Sequence, residues 1–421
     1  MKRYFKEVIT HPLFSGSAIM VLGSNSTNFL NYIYHLVIGR MLGPSFYGEL
    51  ASLISLIGLL GIIPASLSLV IIKYVSGAKN ETEAAILIHW LKAKVFKISL
   101  IFFIFIIVIS PALASFLHIN RLSYLFLIAL ASLFTIQTLL NRSILQGLLN
   151  FKEMILSVFV ENGAKLLISV ILVYLGFRVG GAMLAFVMAA ALGFLITNHY
   201  LNVKSEKTSN ISLNLKPMFL FTIPVMVQSL AVTSLYSSDL ILVKHFFSSH
   251  DAGLYAALST LGKIIFFGAG PIGSVMFPII SSRHATGLKV NKIFLYSFFA
   301  TAVISLSILI VYLLFPGMAI NLLYGSAYLE SVDLLVWFGI FMSLFTLSAL
   351  LMNFHLSQNR TKVVLLPLVA AIAQIVVIWF YHQTLFDVVL VSIAVTALLL
   401  GSLLIYSTYG DKLNINNSSC L

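Results

Sequence analysis

Charge is scarce in this sequence, so a charge inside an apolar run is a candidate for chemistry. The stretch VMVQSLAVTSLYSSDLILVKHFF (225–247) holds Asp239, and the next apolar run holds Lys263. An ionisable group in a membrane segment costs about 3 kcal/mol on insertion scales, so it usually faces an interior and has a partner. Counted from the intervening loop near Ser249, the two arrive at similar depth, roughly 15 Å along antiparallel helices. They are expected to face the interior of the C-terminal half, together as a pair. Such a pair can clamp neighbouring helices. Alternatively, Lys263 offers phosphate a point charge while Asp239 takes up a proton or cation, as an ion-coupling residue. Glu161 and Lys165 form a second set. They are four apart with the acid first, the favourable order for a helical pair, and are expected to neutralise each other as an intramembrane ion pair.

Neutral polar groups are also patterned. Ser17, Ser24, Asn28, Asn31 and His35 share one helical face of the first apolar run. Ser229, Thr233 and Tyr236 continue the pattern near Asp239. Polar groups do not face lipid cheaply, so the stripes face another helix or a hydrated cavity. Amides, hydroxyls and aromatic rings suit sugars, because they hydrogen-bond and stack without requiring a particular charge. Ser24, Asn28, Asn31, His35, Tyr236 and Lys263 are the substrate-cavity candidates. Arg40, just beyond the first run, is either a loop-docking residue or a ligand.

The elements that must position these residues follow from composition. Of 421 residues, 60% are hydrophobic and 9% charged, against about 25% charged in a soluble domain. Apolar runs of about 20 residues recur along the chain, each long enough to cross a bilayer as a helix. The reading is an all-α polytopic membrane protein with twelve spans, near 14–38, 50–72, 98–117, 123–140, 154–176, 181–203, 217–243, 252–280, 293–315, 333–356, 363–381 and 385–406. The division at Pro316–Val332 is the weakest and includes a short surface helix. The net charge of +12 lies mainly in short loops, which points to topology and not to nucleic acid. Placing both termini in the cytoplasm puts most Lys and Arg on the inner side, as membrane insertion favours. Residues 84–95 (AAILIHWLKAKV) have apolar and basic faces and are expected to lie on the inner interface. The single cysteine, Cys420, allows no disulfide within the chain and no metal cluster. No cofactor is expected. The basic N-terminus reads as leading into a retained first helix.

An internal repeat organises the spans. LVIGRMLGPSFYGELASL (36–53) aligns with ILVKHFFSSHDAGLYAAL (241–258), so Gly48 meets Gly253, Ala51 meets Ala256 and Leu53 meets Leu258. Parallel repeats of this kind build transporters from two similar bundles with substrate between them. The expected organisation is an N-terminal lobe of six helices over residues 1–203, a cytoplasmic linker at 204–216 and a C-terminal lobe of six helices over 217–421.

GRMLGPSFYGELASL, LQGLLNF (145–151), DAGLYAALSTLGKI, MFPIIS and INLLYGSAYLES (320–331) resemble the polysaccharide biosynthesis and export family. That family includes the O-antigen and capsule-repeat flippases of the multidrug/oligosaccharidyl-lipid/polysaccharide (MOP) exporter superfamily. The resemblance implies a two-lobe, V-shaped bundle in the bacterial inner membrane. It also implies an activity: moving undecaprenyl-pyrophosphate-linked oligosaccharides to the outer leaflet by alternating access, with membrane lipid and polysaccharide assembly proteins as partners. A cation-coupled multidrug exporter of the same superfamily is the alternative. A membrane polysaccharide polymerase or ligase is a further one, but no loop carries a nucleotide-binding, nucleophile-elbow or zinc motif.

Overall fold

The computed structural model describes residues 12–78, 81–119, 121–201, 216–286, 288–358 and 360–415. Linker residues 204–215 and Cys420 lie outside them, as do the side chains of Ser17 and Ser24. The described residues form helices and no strand. Among the described residues nine helices are long and apolar enough to cross a membrane, or ten if one bent pair is a single span.

Two of the nine are double. α1 (Pro12–Leu60) breaks at Gly43, with φ 70° and ψ 170°. Glycine tolerates positive φ at little cost, and Pro44 suits the first turn of the next helix because that turn needs no N–H from it. α2 (Ile62–Ser76) follows directly. α5 (Phe151–Leu172) and α6 (Arg178–Tyr200) are joined through a π turn at Val173–Phe177, broken at Gly176 with φ 90°. Separating the helices at these breaks recovers the twelve spans expected among the described residues.

The chain divides into two compact units. The N-terminal unit takes the chain up to Leu42 together with Leu60–Ile223; the C-terminal unit takes Gly43–Leu59 and everything from Pro224. Gly43–Leu59, expected in the N-terminal lobe, therefore packs with the C-terminal half.

In the N-terminal unit α3 (Glu81–Phe116) packs on α4 (Leu122–Gly147), and α6 packs on both α4 and α5. Residues 84–95, expected on the inner interface, are not a separate helix. They are early turns of α3, a 36-residue helix about 54 Å long. Leu87, Leu91 and Val95 bury against Ile136, Leu140 and Ile144 of α4. That apolar stripe finds a protein partner, which removes the reason to lie on lipid.

In the C-terminal unit, α7 (Lys216–Leu235) and α8 (Ser238–Phe246) are the bent pair. α9 (Ser249–Ala285) and α10 (Asn291–Leu314) follow, then short α11 (Pro316–Leu323), α12 (Val332–Ser357), α13 (Leu365–Phe380) and α14 (Leu385–Ile415). α12 packs on α9, α10 and α14, while α8 is held by α9, α13 and α14.

The repeat glycines explain why Gly43–Leu59 joins this unit. A Cβ on Gly48 would collide with the Ser249 carbonyl and the Gly253 nitrogen, and one on Gly253 with the Pro44 carbonyl. The two repeat-related helix starts thus cross backbone to backbone. Beside them Tyr47, fully buried, shares hydrogen bonds of 3.2 Å with the hydroxyls of Thr260 and Tyr324. Tyr328 closes the cluster edge-on to Tyr47.

Candidate functional site: polar clusters inside the two units

In the C-terminal unit the apolar helix fails where its hydroxyls gather. α7 ends at Leu235 and α8 begins at Ser238, bent by 49°. Ser234 and Ser238 bond to each other at 2.7 Å across the break. Asp239, in the first turn of α8, is fully buried. Its Oδ1 accepts from the Leu240 N–H at 2.8 Å and its Oδ2 from the Tyr255 hydroxyl at 2.8 Å. Breaking a helix frees backbone N–H groups, and a carboxylate in the first turn complements them and the positive end of the helix. Ser392 lies beside the Tyr255 hydroxyl and accepts from Gln374 Nε2 at 2.9 Å. The Oε1 of Gln374 is enclosed and has no hydrogen-bond partner among the described residues. Asp239, Tyr255, Ser392 and Gln374 thus form one polar chain through α8, α9, α14 and α13.

Lys263 takes no part in an ion pair with Asp239. It is half-buried, with Nζ 5.3 Å from the centroid of the Tyr236 ring. That ring packs against Phe266 and Phe345, with centroids 6.0 and 5.6 Å away. The expected Asp239–Lys263 pair is therefore corrected. Tyr255 supplies the acid with a short hydrogen bond inside the unit, and an aromatic face holds the ammonium. The two remain electrostatic neighbours.

In the N-terminal unit the expected Glu161–Lys165 ion pair is also replaced. Arg142 of α4 donates to Glu161 Oε2 at 2.6 Å and to Ser157 Oγ at 2.9 Å. Guanidinium reaches a carboxylate and a hydroxyl at once, which an ammonium one turn away on the same helix cannot match. Lys165, 8% exposed, turns instead to Asn31 Oδ1 at 2.5 Å and Asn162 Oδ1 at 3.1 Å. Its Nζ also lies 4.8 Å from the Tyr34 ring centroid and 4.9 Å from that of Phe186.

Residues 13–284 match the model of a family described as polysaccharide biosynthesis protein. The chain belongs to that family. No curated protein matches this family member by sequence. Solved structures share its fold. An inward-facing multidrug resistance MATE family transporter of the MOP superfamily superposes with a TM-score of 0.75 at 15% identity, covering 94% of this chain and 96% of that one. The lipid II flippase MurJ, in an inward closed conformation, gives 0.72 at 13% identity, covering 92% and 87%. A MOP superfamily transporter from Pyrococcus furiosus gives 0.63 at 16% identity, covering 96% and 98%. The chain is thus a multi-pass membrane protein with the MOP transporter fold.

Asn28 is exposed on its helix, and Asn31 and His35 are half-buried. His35 packs edge-on to Tyr34, with ring centroids 5.5 Å apart. Asn31 and Lys165 come together, as do Tyr236 and Lys263. Arg40 is exposed. Arg142 and Lys244 fall just beyond the expected spans 123–140 and 217–243, yet both lie on helices. Lys244 is buried, with Glu49 as its electrostatic neighbour. Tyr255, Ser392 and Gln374 were missed. Their only local signal is a polar group in an apolar run, as in LLPLVAAIAQIVVIWF around Gln374.

Proposed function

We propose that this family member carries undecaprenyl-pyrophosphate-linked oligosaccharide repeat units across the bacterial cytoplasmic membrane, opening alternately to its two sides. The observation that carries this reading is the state of Lys165 and Lys263. Lys165 is held by amides and aromatic faces, and Lys263 lies over an aromatic ring. Neither forms an ion pair. A transported anion can therefore compete for cations that no carboxylate contacts directly, with Glu161 and Asp239 as their electrostatic neighbours. A pyrophosphate crossing hydrocarbon unaided would be prohibitively costly, so cations inside the spans are the physical requirement. Membership of a polysaccharide biosynthesis family supports a sugar-bearing cargo. Ser24, Asn28, Asn31, His35 and Tyr236 are the proposed sugar and headgroup contacts. Asp239 is the proposed coupling residue, its hydrogen bonds ready to change on protonation or cation binding. In this reading the termini are cytoplasmic, polysaccharide assembly proteins receive the product, and the protein catalyses no bond rearrangement.

Cells lacking the protein are expected to lose surface glycan and to accumulate one lipid-linked repeat unit, readable by mass spectrometry of extracted lipids. The likeness to the multidrug transporter favours a second reading, drug export. Unchanged surface glycan and lipids together with new sensitivity to cationic drugs would support it and contradict the first.

A further inference from the structure

We infer that Lys165 is a positioning residue that turns the polar face of α1 into a donor face for anionic oxygens, with Asn31 as the contact. The inference rests on the flippase reading and names its recognition chemistry. An ammonium has three donors and no acceptor. An amide within 2.5 Å of it must present oxygen, which settles the orientation of Asn31. The Nδ2 of Asn31 then points away from Lys165. It has no partner among the described residues, and the side chain is only half-buried. Asn162 does not compete for the role: its oxygen also faces Lys165, and its Nδ2 is spent on the Val158 carbonyl at 2.9 Å.

Three further features favour an anion as occupant. The cation behind Asn31 polarises its amide, so the free N–H groups become stronger donors. Lys165 is fixed, because Tyr34 and Phe186 flank the ammonium. The local charge is also positive in sum: Arg142 is matched by Glu161 at 2.6 Å, while Lys165 has amides for partners. A half-buried amide donor without a partner among the described residues, backed by a net cation, matches the oxygens of a diphosphate and not an alkyl chain or a cationic drug.

Asn31→Asp separates this role from a structural one. The aspartate would form an ion pair with Lys165, so folding is preserved or improved, but the donor face becomes an acceptor. Lys165→Met tests the same role from the other side. Full-length protein in nanodiscs would be titrated with undecaprenyl pyrophosphate and with undecaprenol, read by native mass spectrometry. Wild type is expected to prefer the pyrophosphate lipid. Asn31→Asp and Lys165→Met are each expected to lose about tenfold or more of that preference, the scale of a hydrogen bond to a charged group. The melting point of Asn31→Asp should be no lower than wild type. Wild type that prefers the pyrophosphate lipid, with Asn31→Asp keeping the preference, overturns the inference alone. Wild type without any preference overturns the flippase reading and the inference with it.

Discussion

Arg142→Met should destabilise the N-terminal unit by up to about 3–5 kcal/mol, the cost of stranding one partner when an ion pair is fully buried; here the two side chains are 18% and 20% exposed. Glu161 would lose its 2.6 Å partner. The cation one turn away, Lys165, is committed to Asn31 and Asn162, so neutralising the stranded carboxylate means dismantling a second cluster. Escape is limited as well. A Cβ on Gly193 of α6 would collide with the Glu161 carboxylate, so the acid sits tightly against that helix. For a bundle of this size a loss of about 3–5 kcal/mol lowers the melting temperature by roughly 6 to 20 °C. Adding Glu161→Gln to Arg142→Met should recover most of the loss, because two neutral partners leave no charge behind. Detergent-purified variants followed by thermal unfolding decide it. A double variant no more stable than Arg142→Met would show that Arg142 acts through something other than Glu161.

Gly253→Val should release Gly43–Leu59 from the C-terminal unit. The atom in the way is the carbonyl of Pro44, and backbone yields far less than the end of a side chain. Ordinary overpacking costs about 1–3 kcal/mol; a clash between two helix backbones lies at or above the top of that range. Release should also expose what the segment covers. Thr260, 9% exposed, is bonded to Tyr47 of that segment at 3.2 Å. With Cys420 replaced by serine, a cysteine at position 260 should resist an aqueous thiol reagent in the parent and react in Gly253→Val. Equal protection in both, with unchanged melting, would contradict the close approach.

These expectations show what could be read from residues in order. The twelve spans were legible because twenty apolar residues have one cheap solution in a bilayer, whereas residues 39–49 read as a loop and are helix broken only at Gly43. The repeat was legible as matched glycines at 48 and 253. What those glycines do was not, since their meeting is a contact between segments two hundred residues apart. Spacing on one helix suggested Glu161–Lys165, and a tertiary partner, Arg142, displaced it. Asp239 was recognisable as an anomaly, but its partners Tyr255, Ser392 and Gln374 come from three other helices. Local patterns mark which residues need a partner; only the fold chooses it.

The central claim, transport of a lipid-linked oligosaccharide, is tested most directly by reconstitution. Vesicles would be formed with radiolabelled undecaprenyl-pyrophosphate-linked repeat unit in both leaflets, with and without the purified protein. A glycan-cleaving enzyme added outside reaches only the outer leaflet. Protein-free vesicles are expected to keep a protected inner pool, and wild-type protein to make this pool cleavable, while Lys165→Met and Lys263→Ala do so far more slowly. A protected pool that stays the same size beside folded wild-type protein, under an imposed proton or sodium gradient of either direction, would contradict that claim.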